Sequence, residues 1–87
     1  MKLRYNFVVQ QVADDYVAVA VGEDASNFGG LVRMNKTGAF LFELLKKDMT
    51  REELLAAMVE KYDADEEILQ SNLDVFLEKL KEEKVLA

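Results

Sequence analysis

Residues 31–45, Leu31-Val32-Arg33-Met34-Asn35-Lys36-Thr37-Gly38-Ala39-Phe40-Leu41-Phe42-Glu43-Leu44-Leu45, contain the point at which the chain changes its period. Leu31 to Met34 read as a short strand. Asn35 is an N-cap residue, because its side-chain oxygen can accept from a backbone N–H one turn on. From there to about Lys46, Ala39, Phe40, Leu41, Phe42, Leu44 and Leu45 supply the broad apolar face of a helix. Gly38 weakens such a helix by up to about 1 kcal/mol relative to alanine, so a packing or backbone reason is expected for it.

Upstream of this junction the pattern is that of strands. Phe7 to Val12 is a β-branched and aromatic run, and Tyr16 to Val21 alternates with period two. Ala13-Asp14-Asp15 makes the short turn of a hairpin between them. Gly22 to Gly30 reads as a loop, with Gly29-Gly30 giving a permissive backbone before the third strand.

Downstream the pattern is helical throughout. Thr50-Arg51-Glu52-Glu53 is a capping box, and Met49 with Leu54 fits a hydrophobic staple around it. Leu54, Leu55, Met58, Val59 and Tyr62 continue at helical spacing. A last helix is predicted from near Asp63 or Asp65 to about Lys84, with Asp65, Glu66 and Glu67 at its positive end and Lys79, Lys81 and Lys84 at its negative end. Val85-Leu86 is expected to fold back on the core. The reading is an α+β fold of order βββααα, a three-stranded antiparallel sheet followed by three helices, in one domain over residues 1–87.

Composition narrows the function. Half of the 87 residues are apolar (51%) and about a third are charged (32%), as in an ordinary globular domain. The chain has neither cysteine nor histidine. Disulfides, thiolate nucleophiles, Cys-ligated metals and the usual neutral-pH general base are therefore excluded, and an enzyme is not expected. No catalytic residue, metal ligand or cofactor site is assigned. The carboxylates of Asp63 to Glu67 lack the glycine of a calcium loop, since Ile68 stands at the sixth position, and the glycines form no phosphate loop. No apolar run is long enough to span a membrane, and no export signal is visible, so a cytoplasmic protein is expected.

The net charge of -6 is one-sided. Residues 1–46 balance Lys2, Arg4, Arg33, Lys36 and Lys46 against Asp14, Asp15, Glu23, Asp24 and Glu43, so the later half holds the excess. A last helix rich in carboxylates would be repelled by phosphate, which argues against nucleic acid as a partner.

Two features remain unexplained by a simple core. The Leu31–Met34 strand has an edge that no later strand can cover, guarded by no proline and by Arg33 alone. On a helical wheel Leu69, Leu73, Phe76 and Leu80 form the inward stripe of the last helix. Ile68 and Val75 lie roughly 110° away, with Asn72 and Lys79. That flank is either the margin of a wide core or one wall of a groove facing the open edge.

The stretch from Leu31 to Leu45 resembles the "strand, Asn, x, Thr-Gly-Ala, hydrophobic" signature of PqqD-like proteins. Thr50 to Leu54, then Tyr62 to Asp65, then Phe76 to Leu80 match that family's following helices in order and spacing. The resemblance implies a winged-helix-like fold that does no chemistry itself. It implies binding of the leader region of a ribosomally made precursor peptide and its presentation to a modifying enzyme, often a radical S-adenosylmethionine enzyme. The leader would add as a strand to the third strand and lie against the third helix. Carried onto this chain, the implied peptide-binding residues are Leu31, Val32, Arg33 and Met34 on one wall, and Ile68, Asn72, Val75 and Lys79 on the other. Nothing in the residues ties the chain to the quinone cofactor PQQ in particular. The competing reading is a structural adaptor whose open edge pairs with itself in a homodimer.

Overall fold

Side-chain chemistry at the strand and helix ends sets the layout of the chain, whose computed structural model describes all 87 residues. Three strands, β1 (Phe7–Val12), β2 (Asp15–Ala20) and β3 (Leu31–Met34), are followed by three helices, α1 (Lys36–Leu44), α2 (Arg51–Lys61) and α3 (Glu66–Glu82). The sheet is antiparallel with order β1-β2-β3, as the sequence predicts, so β3 is an outer strand.

β1 and β2 close through two residues, since Val12 pairs with Asp15. Ala13 takes a positive φ of 56° to make this turn, a conformation that glycine adopts more easily. Pairing of Asp15 moves β2 one residue earlier than its alternation suggests, although Val21 still donates to the Asn6 carbonyl at 2.9 Å. The segment after β2 is more than a loop. Gly22–Ala25 forms a 3-10 turn, where the Asp24 carboxylate accepts from the Asn6 N–H at 2.8 Å. This turn lays Phe28 against Tyr5 and Phe7, closing one end of the sheet with aromatic rings 5.5–5.8 Å apart.

Helix starts follow their caps. Asn35 Oδ1 accepts from the Gly38 N–H at 2.8 Å. Thr50 and Glu53 form both arms of the capping box, at 3.1 and 3.0 Å. α3 starts at Glu66, at the later end of the predicted range, and stops at Glu82 rather than Lys84. Its stop is a Schellman motif: the Val85 N–H bonds the Leu80 carbonyl and the Lys84 N–H bonds the Lys81 carbonyl, with Lys84 at φ 60°. The chain then folds back as expected. Val85 is fully buried, and Leu86 pairs with Leu3.

One face of the sheet meets the helices. Ala18, Val32 and Met34 from the sheet pack with Leu41, Phe42, Leu54, Met58, Leu73 and Leu80, all buried. Burying each large side chain of this set contributes about 1.5–3 kcal/mol, which makes it the main source of stability. The other sheet face stays open, with Val8, Val19 and Leu31 side by side across the three strands.

Gly38 now has its reason. A Cβ at this position would stand 3.0 Å from Met34 Cβ and 3.0 Å from Phe76 Cε1. One neighbour is fixed to a strand backbone and the other belongs to a packed ring, so neither can yield cheaply. Gly38→Ala is expected to lower stability by about 1–2 kcal/mol through overpacking, despite alanine's better helix propensity. Urea unfolding would measure it as a lower midpoint at an unchanged slope.

A second prediction concerns the α2–α3 contact. Arg51 grips Asp74 with two hydrogen bonds of 2.8 and 3.0 Å, and this holds the Asp74 carboxyl below its ordinary range. A carboxyl depressed on folding stabilises above its unfolded pKa of about 3.9 and ceases to do so as pH falls through the folded value. Asp74→Asn should therefore melt slightly below the wild type at pH 5–7, and the gap should close as the pH is taken below about 4.

Candidate functional site

The alternation of sheet hydrogen bonds determines which groups of β3 are free. In an antiparallel pair, opposed residues alternate between hydrogen-bonded and non-bonded positions. The Asn6–Val21 bond fixes the parity, so Val19, Val17 and Asp15 of β2 turn their main-chain groups towards β1. Ala18 and Tyr16 then face β3, where their partners are Val32 and Met34. The N–H and C=O groups of Leu31 and Arg33 are left pointing off the sheet. One of them has a partner: Lys79 of α3 donates its ammonium to the Arg33 carbonyl.

Beside this edge lies a cleft of about 280 Å³. Its floor is built by Met34, Gly38, Leu41 and Phe76, meeting where α1 and α3 approach the end of β3. Asn35 and Thr37 bring polar groups from the start of α1. The far wall is α3, with Asn72, Val75 and Lys79 spaced so that all three project from one side. Because Gly38 has no side chain, Phe76 can close the floor from α3 while α1 packs beneath. A glycine in a helix is thus the local choice that creates the depression.

The structure separates the eight residues singled out by sequence. Val75 is 69% exposed and Ile68 53%, so the flank of α3 is surface and not the margin of a wide core. Asn72, Val75 and Lys79 line the cleft, whereas Ile68 sits a turn or more before it and does not. On β3, Met34 contributes to the floor and the main-chain groups of Arg33 and Leu31 form the edge. The side chains of Leu31 and Arg33 turn to the open face of the sheet, where Arg33 comes within 3.9 Å of Asp15. An ion pair that long and that exposed adds little stability. Val32 is fully buried and bonds to β2, so its side chain holds the wall from within and reaches nothing in the cleft.

Five cleft residues lie outside the set that the sequence points to: Asn35 reads as a cap, Gly38 as an unexplained helix glycine, Leu41 and Phe76 as core, and Thr37 has no role of its own. The cap and the core roles are real, and the same atoms also line the depression. Gly38 was the available signal, since a glycine inside a helix marks a close approach.

Comparison with known proteins gives a consistent placement. Residues 15–86 match the family described as Coenzyme PQQ synthesis protein D (PqqD). The chain belongs to that family. Among proteins with curated functions, none matches significantly. Two solved structures share the fold. One is TbiB1 in complex with the TbiA(beta) leader peptide, at 22% identity and a TM-score of 0.73 over 99% of this chain and 94% of that one. The other is lasso peptide synthetase B1 complexed with the leader peptide, at 18% identity and a TM-score of 0.65 over 93% and 89%.

The edge assignment has a direct consequence for hydrogen exchange. In the free protein the Val32 and Met34 amides should be protected close to the global level, while the Leu31 and Arg33 amides exchange with little protection. Uniform protection along residues 31–34 would mean that the edge is covered.

Proposed function

We propose that this protein is a peptide-binding module that takes up the leader region of a ribosomally synthesised precursor and presents it to a modifying enzyme. The observation that carries this reading is the coincidence of an uncovered β3 edge with an apolar-floored cleft against α3. A strand added at the edge draws affinity from main-chain hydrogen bonds at Leu31 and Arg33, and its alternate side chains enter the cleft for specificity. Met34, Asn72, Val75 and Lys79 are the residues that meet those side chains, while Leu31, Val32, Arg33 and Ile68 build or extend the walls. The two leader-bound structures of the same fold support the choice of guest.

The module does no chemistry of its own in this reading. A radical S-adenosylmethionine enzyme is the partner class that the family resemblance favours, with other peptide-modifying enzymes as alternatives. The carboxylates of α3 work against the DNA-binding use of a winged-helix-like fold, because seven acidic residues from Asp65 to Glu83 face only Lys79, Lys81 and Lys84. The uncovered edge and the open row of Val8, Val19 and Leu31 also suit self-pairing into a homodimer. Sedimentation across a concentration range, with and without a leader peptide, distinguishes the two uses.

The test is titration with the leader of a short precursor encoded beside this chain, followed by amide NMR. Shifts should concentrate in residues 31–41 and 72–79, and the Leu31 and Arg33 amides should gain protection. Val75→Asp should weaken binding at least tenfold, because a carboxylate then faces the guest's apolar side chains, and should leave the melting temperature nearly unchanged at this exposed position. Saturable binding that ignores Val75→Asp and shifts another face would overturn the reading.

A further inference from the structure

Lys79 stands apart from every other cation of the chain. It is half-buried on α3, and carboxylates surround its outer side: Asp74, Glu78 and Glu82 share a shallow depression with it and with Val75. None of the chain's ion pairs includes it. Its ammonium instead crosses the mouth of the cleft to the Arg33 carbonyl, one of the few edge groups that an added strand would use.

We propose that Lys79 is both the latch of the free edge and the residue that selects the guest's charge, requiring a carboxylate at the one cleft-facing guest position next to the Arg33 carbonyl. This rests on the leader-binding reading and adds the register to it. A strand that adds in register needs the Arg33 carbonyl for its own N–H, so the ammonium must leave. Within reach of its stem lie the guest and the acidic side of α3. A guest Asp or Glu at this position gives the displaced ammonium a charge-assisted partner inside the cleft, where water is partly excluded. A guest carboxylate one strand period away meets no such cation, because every other side chain that lines the cleft is uncharged. The single cation of the cleft therefore sharpens the choice: a carboxylate finds a partner at one position and would be desolvated without one at its neighbours.

The test is selection from a displayed library of randomised 20-residue peptides against the wild type, Lys79→Met and Lys79→Glu, each first shown by its amide spectrum to be folded. Wild-type binders that shift β3 and α3 should be enriched in Asp or Glu at one fixed position. Lys79→Glu should enrich Lys or Arg at that same position. Lys79→Met should lose the charge preference there, and should bind uncharged guests at least as well as the wild type because the latch is gone. For a selected peptide, replacing its acid by Gln or Asn should weaken wild-type binding roughly five- to tenfold and leave Lys79→Met binding unchanged. Cleft binders whose acidic position persists in Lys79→Met would overturn the role of Lys79 and leave leader binding standing. A library that yields no binder at the cleft of any of the three proteins would overturn the leader-binding reading and this proposal together.

Discussion

The contact on which the site depends is the convergence of β3, α1 and α3 at Gly38. Met34 Cβ and the Phe76 ring both stand at the position where a side chain on residue 38 would begin. This brings the first turn of α1 down onto the strand end and lets α3 lay an aromatic ring across the gap. Were α1 held further out, the floor would fill with solvent or collapse, and the strand edge would run beside an ordinary helix surface. The cost is a glycine within a helix, about 1 kcal/mol against alanine, which burial of Met34 and Phe76 offsets.

Around that point, rigid and adjustable parts are separated. The floor and the inner side of β3 belong to the main hydrophobic core, so their geometry is as fixed as the core itself. The rim is made of long or polar side chains on the surface of α3, anchored from behind by the two-pronged Arg51–Asp74 contact between helices. A module built this way keeps the spacing between strand edge and helix constant, and varies only what the rim presents.

Much of the fold was legible because local signals agreed with one another. Strand alternation, the Asn35 cap, the Thr50–Glu53 capping box and the Ile68/Val75 flank each appear in the structure where the residues place them. What the sequence could not reveal depends on chain reversal and on parity. The 3-10 turn at Gly22–Ala25 is made by Asp24 reaching back to Asn6, a tertiary contact with no local signature. Leu31 to Met34 read as a single wall, yet the hydrogen-bond parity divides them: Leu31 and Arg33 offer backbone, Met34 offers a side chain, and Val32 offers neither. Ile68 shares a wheel face with Val75, but seven residues along a helix is about 10 Å, enough to carry it past the end of the cleft. The wheel shows direction and is blind to distance along the axis.

The one-sidedness of the cleft has a consequence for any extended guest. Only the helical side of β3 is walled; the opposite face, with Val8, Val19 and Leu31, is bare. A ribbon zipped along this border would turn half of its residues inward for inspection and leave the intervening ones looking outward, unscrutinised. Such a reader would tolerate drift at every other letter. The same feature would let a single small protein serve messages that share a sparse skeleton while differing in everything between.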